Sequence, residues 1–261
     1  MRHITANATH LAATLAVTAA AVLAAFAIPL PAHAFALVIE GPGGNTVHGS
    51  GKEVDVARKT GAFSVLRLDS SIDVHAHAGA TPAVVVHADD NIEPLVETLV
   101  EGDTLIVRTK KGASFSTGHK MVVDVTFTTL TGAQQRGSGD LHIDGVSGPK
   151  FDSSIAGSGD LRIEQARLGA FTLSIAGSGD VVIAGTADEA RFGIDGSGDI
   201  DARKLAAKKV SVSISGSGDA RVNATEAIDA RVAGSGDVTY AGHPHEVTRR
   251  ISGSGSVEAA R

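Results

Sequence analysis

The sequence predicts an all-β fold, a single-stranded β-helix with about 19–20 residues per coil, and three observations predict it. Gly-Ser-Gly-Asp begins at Gly137, Gly157, Gly177, Gly196, Gly216 and Gly234, with a Gly-Ser-Gly-Ser variant at Gly253, at intervals of 20, 20, 19, 20, 18 and 19 residues. A period that regular marks stacked units, each too thin to bury an apolar face alone. Residues around each signature alternate, as in Phe171/Leu173/Ile175 before Gly177 and Val181/Ile183 after Asp180, which sends one set of side chains inward and the other outward. Finally, no stretch after residue 34 has a helical period; Ala187–Ala190 and Leu205–Lys209 are too short.

The elements follow in order. Residues 1–34 predict a secretory signal peptide: Arg2 gives a weakly basic start, and Leu11 to Leu30 is apolar apart from Thr14 and Thr18. Ala32-His33-Ala34 then supplies a small-x-small cleavage site before Phe35; an uncleaved anchor is the competing reading. Residues 35–60 predict a flexible tether, since Gly41-Pro42-Gly43-Gly44-Asn45 is rich in turn formers and has no apolar period. A single β-helix domain is expected over 61–261. Strands are predicted at Val65–Leu68, Ile72–His77, Ala83–Val86, Leu95–Val100, Thr104–Val107 and Met121–Thr128, with a tight reversal at Glu101-Gly102-Asp103. They should form less regular coils over 61–130, ahead of the repeat coils over 131–261. Each repeat reads as strand, signature turn, strand and variable return.

Composition narrows the function. Without Cys there is no disulfide, so stability must come from stacking. Eight Phe, one Tyr and no Trp leave a core of Ala, Val, Ile and Leu. Fourteen of the 31 Gly sit in the seven signatures and therefore mark fixed turns. Loss of the signal segment removes one cation, Arg2, from 23 Lys+Arg against 29 Asp+Glu, for a net charge of −7. That balance argues against nucleic acid and anionic membranes as partners, and no membrane insertion is expected after signal cleavage.

Leucine-rich repeats share the period but need a Leu-x-x-Leu-x-Leu pattern, a propeller blade needs about 40 residues, and a hexapeptide helix needs multiples of six. The tandem signatures, preceded by Ala88-Asp89-Asp90-Asn91-Ile92 and the Leu95 to Val107 strands, resemble the head GIN domain family of auto-transporter adhesins over about residues 63 to 240. The resemblance implies a right-handed parallel β-helix on an exported bacterial protein, and it brings no catalytic residues. Only Val257 to Arg261 follows the last repeat, so a membrane-barrel translocator is not expected.

In a stack, Asp140, Asp160, Asp180, Asp199, Asp219 and Asp237 should form a column, each about 5 Å from the next, where carboxylates repel unless compensated. Hydrogen bonds from turn N–H groups are the favoured compensation. A splayed, hydrated ladder is one alternative and calcium another, the latter weakened by one carboxylate per turn where six to eight oxygens are wanted. Beside that column, Ser158, Ser178, Ser197 and Ser217 should complete a polar ridge suited to repeated weak contacts. His75-x-His77 and His243-Pro244-His245 supply too few ligands for a transition-metal site, and His87 and His142 add none. No catalytic, cofactor or metal residue is assigned.

The expectation is an exported, non-catalytic binding module in the periplasm or at the cell surface, meeting a cell-envelope or surface macromolecule. A polysaccharide-active enzyme and a purely structural or regulatory envelope protein are the alternatives. Short returns and few aromatics count against the enzyme. An exposed end coil could also support self-association.

Overall fold

A computed structural model describes residues 46–260; the expected signal peptide and residues 35–45 of the expected tether lie outside the described residues. The first strands are β1 (Thr46–His48), β2 (Glu53–Arg58), β3 (Val65–Asp69), β4 (Asp73–Ala78), β5 (Ala83–Asp89), β6 (Val96–Glu101), β7 (Thr104–Thr109), β8 (Ser114–Ser116) and β9 (Val122–Phe127). The repeats supply β10 (Gly132–Gly137), β11 (Leu141–Asp144), β12 (Ser147–Gly157), β13 (Leu161–Gly177), β14 (Val181–Gly196), β15 (Ile200–Gly216), β16 (Ala220–Gly234), β17 (Val238–Ala241), β18 (Glu246–Gly253) and β19 (Val257–Ala259). One 3-10 turn, Glu93–Leu95, precedes β6.

Successive repeats pair parallel and in register, so the architecture is the expected β-helix. Gly157 lies opposite Gly177, Gly177 opposite Gly196, Gly196 opposite Gly216 and Gly216 opposite Gly234. Equal positions therefore form columns. Ile155, Ile175, Ile194, Ile214 and Val232 make one buried column before the turn, and Leu141, Leu161, Val181, Ile200, Ala220 and Val238 make another after it. Three of the aromatics pack together in the core: the Phe151 and Phe171 rings stack at 6.2 Å, and Phe192 meets Phe171 edge-on at 5.9 Å. Such contacts add about 0.5–1.5 kcal/mol per pair beyond burial.

The returns are also paired strand, although the sequence suggested only variable connections. β13, β14 and β15 each run unbroken from one signature through the return to the next. Ala166, Leu168, Ala187, Leu205, Ala207 and Ala224 give them a buried side. Unequal spacing is absorbed at register shifts between Ile163 and Ala166, Val182 and Ala184, and Ala202 and Ala206. Bulges take up an extra residue without breaking the ladders on either side.

The N-terminal part departs further from a simple winding. β3 and β4 lie in register beneath β10 and β11, as an early coil should. Yet β7 pairs with β3, and β9 with β4, on the side away from the repeats. The coil that comes later in the chain is thus farther from the repeats. Beyond it the pairing turns antiparallel: β6 on β7, β5 on β9 and β2 on β5. The tight reversal at Glu101-Gly102-Asp103 explains the first pair, with Gly102 at φ +63°. The tether expected to residue 60 also needs correcting. β1 and β2 occupy part of it, because Val54 and Val56 alternate with polar residues and pair against Ala88 and Val86.

Candidate binding face

Each signature turn is built by contact with the turn beneath it. The first glycine has positive φ, +148° at Gly157 and +140° at Gly177, and a Cβ on Gly177 would lie 2.2 Å from the Gly157 carbonyl oxygen. The second glycine, Gly179, is equally confined, its Cβ position 2.3 Å from the Gly159 carbonyl oxygen. Both glycines are therefore required by stacking, in addition to the backbone conformation of the first. Between them the serine N–H donates down the stack, Ser178 to the Gly157 carbonyl at 3.0 Å and Ser197 to that of Gly177 at 2.9 Å. Ser158, Ser178, Ser197 and Ser217 are all exposed.

The aspartates form a hydrogen-bonded relay from rung to rung. Asp160 N–H donates to Asp140 Oδ1 at 3.0 Å, Asp180 to Asp160 at 3.0 Å, Asp199 to Asp180 at 2.9 Å, Asp219 to Asp199 at 2.8 Å and Asp237 to Asp219 at 2.9 Å. The favoured compensation, turn N–H groups, is present, with each donor coming from the next coil rather than from the same turn. A charge-assisted bond per rung offsets the repulsion between stacked carboxylates. The relay ends on Ser256, whose N–H and hydroxyl both donate to Asp237 Oδ1 at 2.8 Å. A serine suits the last rung because it donates where another aspartate would add an unused acceptor.

The relay also begins one rung earlier than the signatures. Asp140 N–H donates to Asp73 Oδ1 at 3.0 Å, so Ser70-Ser71-Ile72-Asp73 is a degenerate signature under Gly137-Ser138-Gly139-Asp140. Cβ positions on Gly137 and Gly139 would meet the carbonyl oxygens of Ser70 and Ile72 at 2.5 and 2.2 Å. With no such turn below them, Ser70 and Ile72 escape the glycine requirement. The sequence signal was the Asp73-Val74-His75-Ala76 alternation, which matches the residues after every other ladder aspartate.

At this base, Asp73, Asp140, Asp160 and Asp180 line a groove of about 300 Å³, together with His75, His142, Lys120 and Arg162 among others. Lys120 Nζ lies 3.0 Å from Asp73 Oδ2. The groove therefore combines a row of acceptors with three kinds of donor. A histidine–carboxylate row crosses the neighbouring strands: His87 sits 2.7 Å from Asp55 and 3.0 Å from Asp124, while His75 is 3.7 Å from Asp124 and 6.0 Å from the His142 ring. Burial pushes the His87 pKa down, but the Asp55 hydrogen bond and the charges of Asp124 and Asp55 outweigh it and hold the pKa above 6.5. Cross-strand pairing creates this row, so spacing in the sequence could not reveal it.

Other candidates stay apart. His77 meets Thr126 Oγ1 at 3.0 Å, and His243 and His245 are exposed. Among the described residues, no group of three or more His, Cys, Asp or Glu has a metal-holding arrangement. The Asp89-Asp90-Asn91 segment is a latch. The buried Asp89 carboxylate accepts from Thr117 at 2.6 Å and lies 3.0 Å from His119, while Asn91 donates to the His48 carbonyl at 2.7 Å. Together these fasten β1 and β8 to the body of the fold. The Thr117 hydroxyl holds Asp89 below the usual carboxylate range, with His119 adding to the effect against burial.

Residues 62–244 match the family model described as "putative auto-transporter adhesin, head GIN domain". A solved "putative adhesin" from Bacteroides fragilis NCTC 9343 is similar, with 28% identity, a TM-score of 0.79, and coverage of 82% of this chain and 100% of its own. A "putative lipid binding protein" from Parabacteroides distasonis ATCC 8503 shares 26% identity at a TM-score of 0.70, covering 83% and 100%. A "putative adhesin" of that same strain has 26% identity and a TM-score of 0.66, with the same coverage. No curated protein matches the chain.

Proposed function

We infer, from the premise that this chain belongs to the head GIN domain family, that it is an adhesin-like surface-binding module without catalysis, exported to the bacterial cell envelope. Its contact face is the Ser–Asp ridge with the groove at its base, and its partner is an envelope or surface macromolecule. The observation that carries this reading is the in-register column of exposed serines beside the carboxylate relay. Oδ1 is spent on the relay, while Oδ2 of Asp140, Asp160, Asp180 and Asp199 lies outside it. Identical polar groups recurring at about 4.8 Å suit a repetitive ligand, in which many weak contacts sum to useful retention.

Solved relatives described as putative adhesins support the reading, and the one described as lipid binding leaves an envelope amphiphile among the ligands to test. Stacked carboxylates have a separation close to that of a retaining glycosidase pair, about 5 Å, but such a pair flanks the scissile bond from two sides. Here all of them belong to one rung-to-rung column. No helix among the described residues is long and apolar enough to cross a membrane.

Substitution of Ser158, Ser178, Ser197 and Ser217 by Lys tests the face, since all four side chains are exposed and the turn backbone is unchanged. The purified protein should retain envelope polysaccharide or protein that the folded quadruple variant releases. Equal retention by both would refute the assignment of the face. Turnover of a polysaccharide panel, lost on Asp160→Asn, would instead establish the enzyme.

A further inference from the structure

The two ends of the stack are finished differently. At the first end, antiparallel strands β2, β5 and β6 lie over the coil, β2 pairing with β5 and β6 with β7, and Arg58 reaches across from β2. Its guanidinium pairs with the Glu93 carboxylate and lies 3.4 and 3.5 Å from the carbonyls of Glu93 and Val96. At the other end, among the described residues, β18 pairs only with β16, so its second edge carries unpaired backbone donors and acceptors. Val247 and Ile251 continue the inner columns of Ile228 and Val232, yet they are 38% and 47% exposed, the exposed large hydrophobics among the described residues. Arg249 continues the middle column. It folds its guanidinium over the Tyr240 ring at 5.5 Å and donates to the Tyr240 hydroxyl, which covers the centre of the core and leaves Val247 and Ile251 on either side.

We propose that β18 forms a two-fold interface with a second copy of the chain, the strands pairing antiparallel with Thr248 on the axis. Charge complementarity identifies the occupant. Glu246 and Arg250 stand two residues either side of Thr248 and point outward with it, as their partners Ala227, Asp229 and Arg231 alternate on β16; Arg250 also lies 3.4 Å from Asp229, an exposed pair that a second partner can share. Antiparallel pairing about Thr248 sets Glu246 of each copy opposite Arg250 of the other, a favourable cross-strand pair. On the inner face it sets Val247 against the aliphatic stem of Arg249. Centring the pair on Arg249 would place two guanidinium groups face to face, so register is specified as well as partner.

The first end also has unpaired strand edges, on β2 and β6, but no exposed large hydrophobic among the described residues, so the apolar strip of β18 finds its match on a second β18 and the isologous contact closes as a dimer. With an eight-residue strand at its centre, the contact lies at the low end of specific interfaces, and dissociation is expected in the micromolar range.

Sedimentation equilibrium of the purified protein over a concentration series tests the proposal, with thermal melts confirming that each variant is folded. The expected result is a monomer–dimer equilibrium that Val247→Lys abolishes. Glu246→Arg or Arg250→Glu alone should weaken it about tenfold, and the two together should restore most of the loss. A monomer at every concentration would overturn the proposal. So would continued growth beyond the dimer, single charge reversals without effect, or a double variant no better than either single.

Discussion

Gly177→Ala isolates the stacking requirement in one methyl group. The new Cβ would sit 2.2 Å from the Gly157 carbonyl oxygen, whereas carbon and oxygen rarely approach closer than about 3.3 Å. The two rungs must therefore part locally by about 1 Å. Parting takes the Ser178 N–H···Gly157 bond and the Asp180 N–H···Asp160 bond, both 3.0 Å, out of hydrogen-bonding range, at about 1 kcal/mol each. Alanine at φ +140° adds about 1–3 kcal/mol of backbone strain, giving an expected loss of about 3–5 kcal/mol. Gly51→Ala is the control, with φ +78° and no atom within 4 Å of the new Cβ; it should lose only about 1–2 kcal/mol. Urea denaturation followed by far-ultraviolet circular dichroism compares the two, with midpoints reported for each phase because repeat stacks need not unfold in one step. If Gly177→Ala loses no more than Gly51→Ala, the close approach of the rungs is not what selects glycine.

Three further outcomes follow from the relay and the histidine row. Asp160→Ala removes the acceptor for Asp180 N–H and should cost about 1–2 kcal/mol in the same assay, whereas Asp160→Asn keeps an oxygen in place and should cost less. If the relay alone stabilises the turns, calcium and chelator should leave the melting temperature unchanged, and a rise with calcium would show ligands beyond the relay. A His87 pKa raised in the folded state stabilises fully below the unfolded value of about 6.5 and loses that contribution as pH rises through the folded value. His87→Gln should therefore be more destabilising at pH 5.5 than at pH 8.5, measured by denaturation midpoints; a pH-independent difference would refute the assigned pairing with Asp55 and Asp124.

The stacked half was legible because one fact, a period of about 20 residues, fixes which side chains become neighbours. Phe171, Leu173 and Ile175 alternate toward the core, and the same offset recurs at Val210, Val212 and Ile214. The N-terminal half has no repeat, so alternation located β3, β4, β7 and β9 but could not order them. Nothing in Val65–Asp69 announces that its two neighbours will be β7 and β10. Within the face, the aspartate column was legible while the direction of its bonds was not, since that depends on which rung presents its N–H. The base of the relay was hidden for a physical reason. Ser70 and Ile72 occupy glycine positions, which only the first turn of a stack can tolerate.

That exception separates what the signature does for folding from what it leaves for binding. Its glycines and the aspartate Oδ1 atoms are fully used in holding one rung to the next. On the proposed function, a ligand is recognised by what remains: the serine hydroxyls, the second carboxylate oxygens, and the outward residues that follow each aspartate. The first two are the same on every rung, but the last change from His75 and His142 to Arg162, Val182, Asp201 and Arg221 along the stack. Repetition can thus give the face its avidity while this varied column gives it selectivity. Arg162→Gln, outside the relay and held only by an exposed pair with Glu164 at 3.3 Å, should change which ligand is retained with little change in melting temperature; a change in stability with retention unaltered would place the column in the scaffold instead.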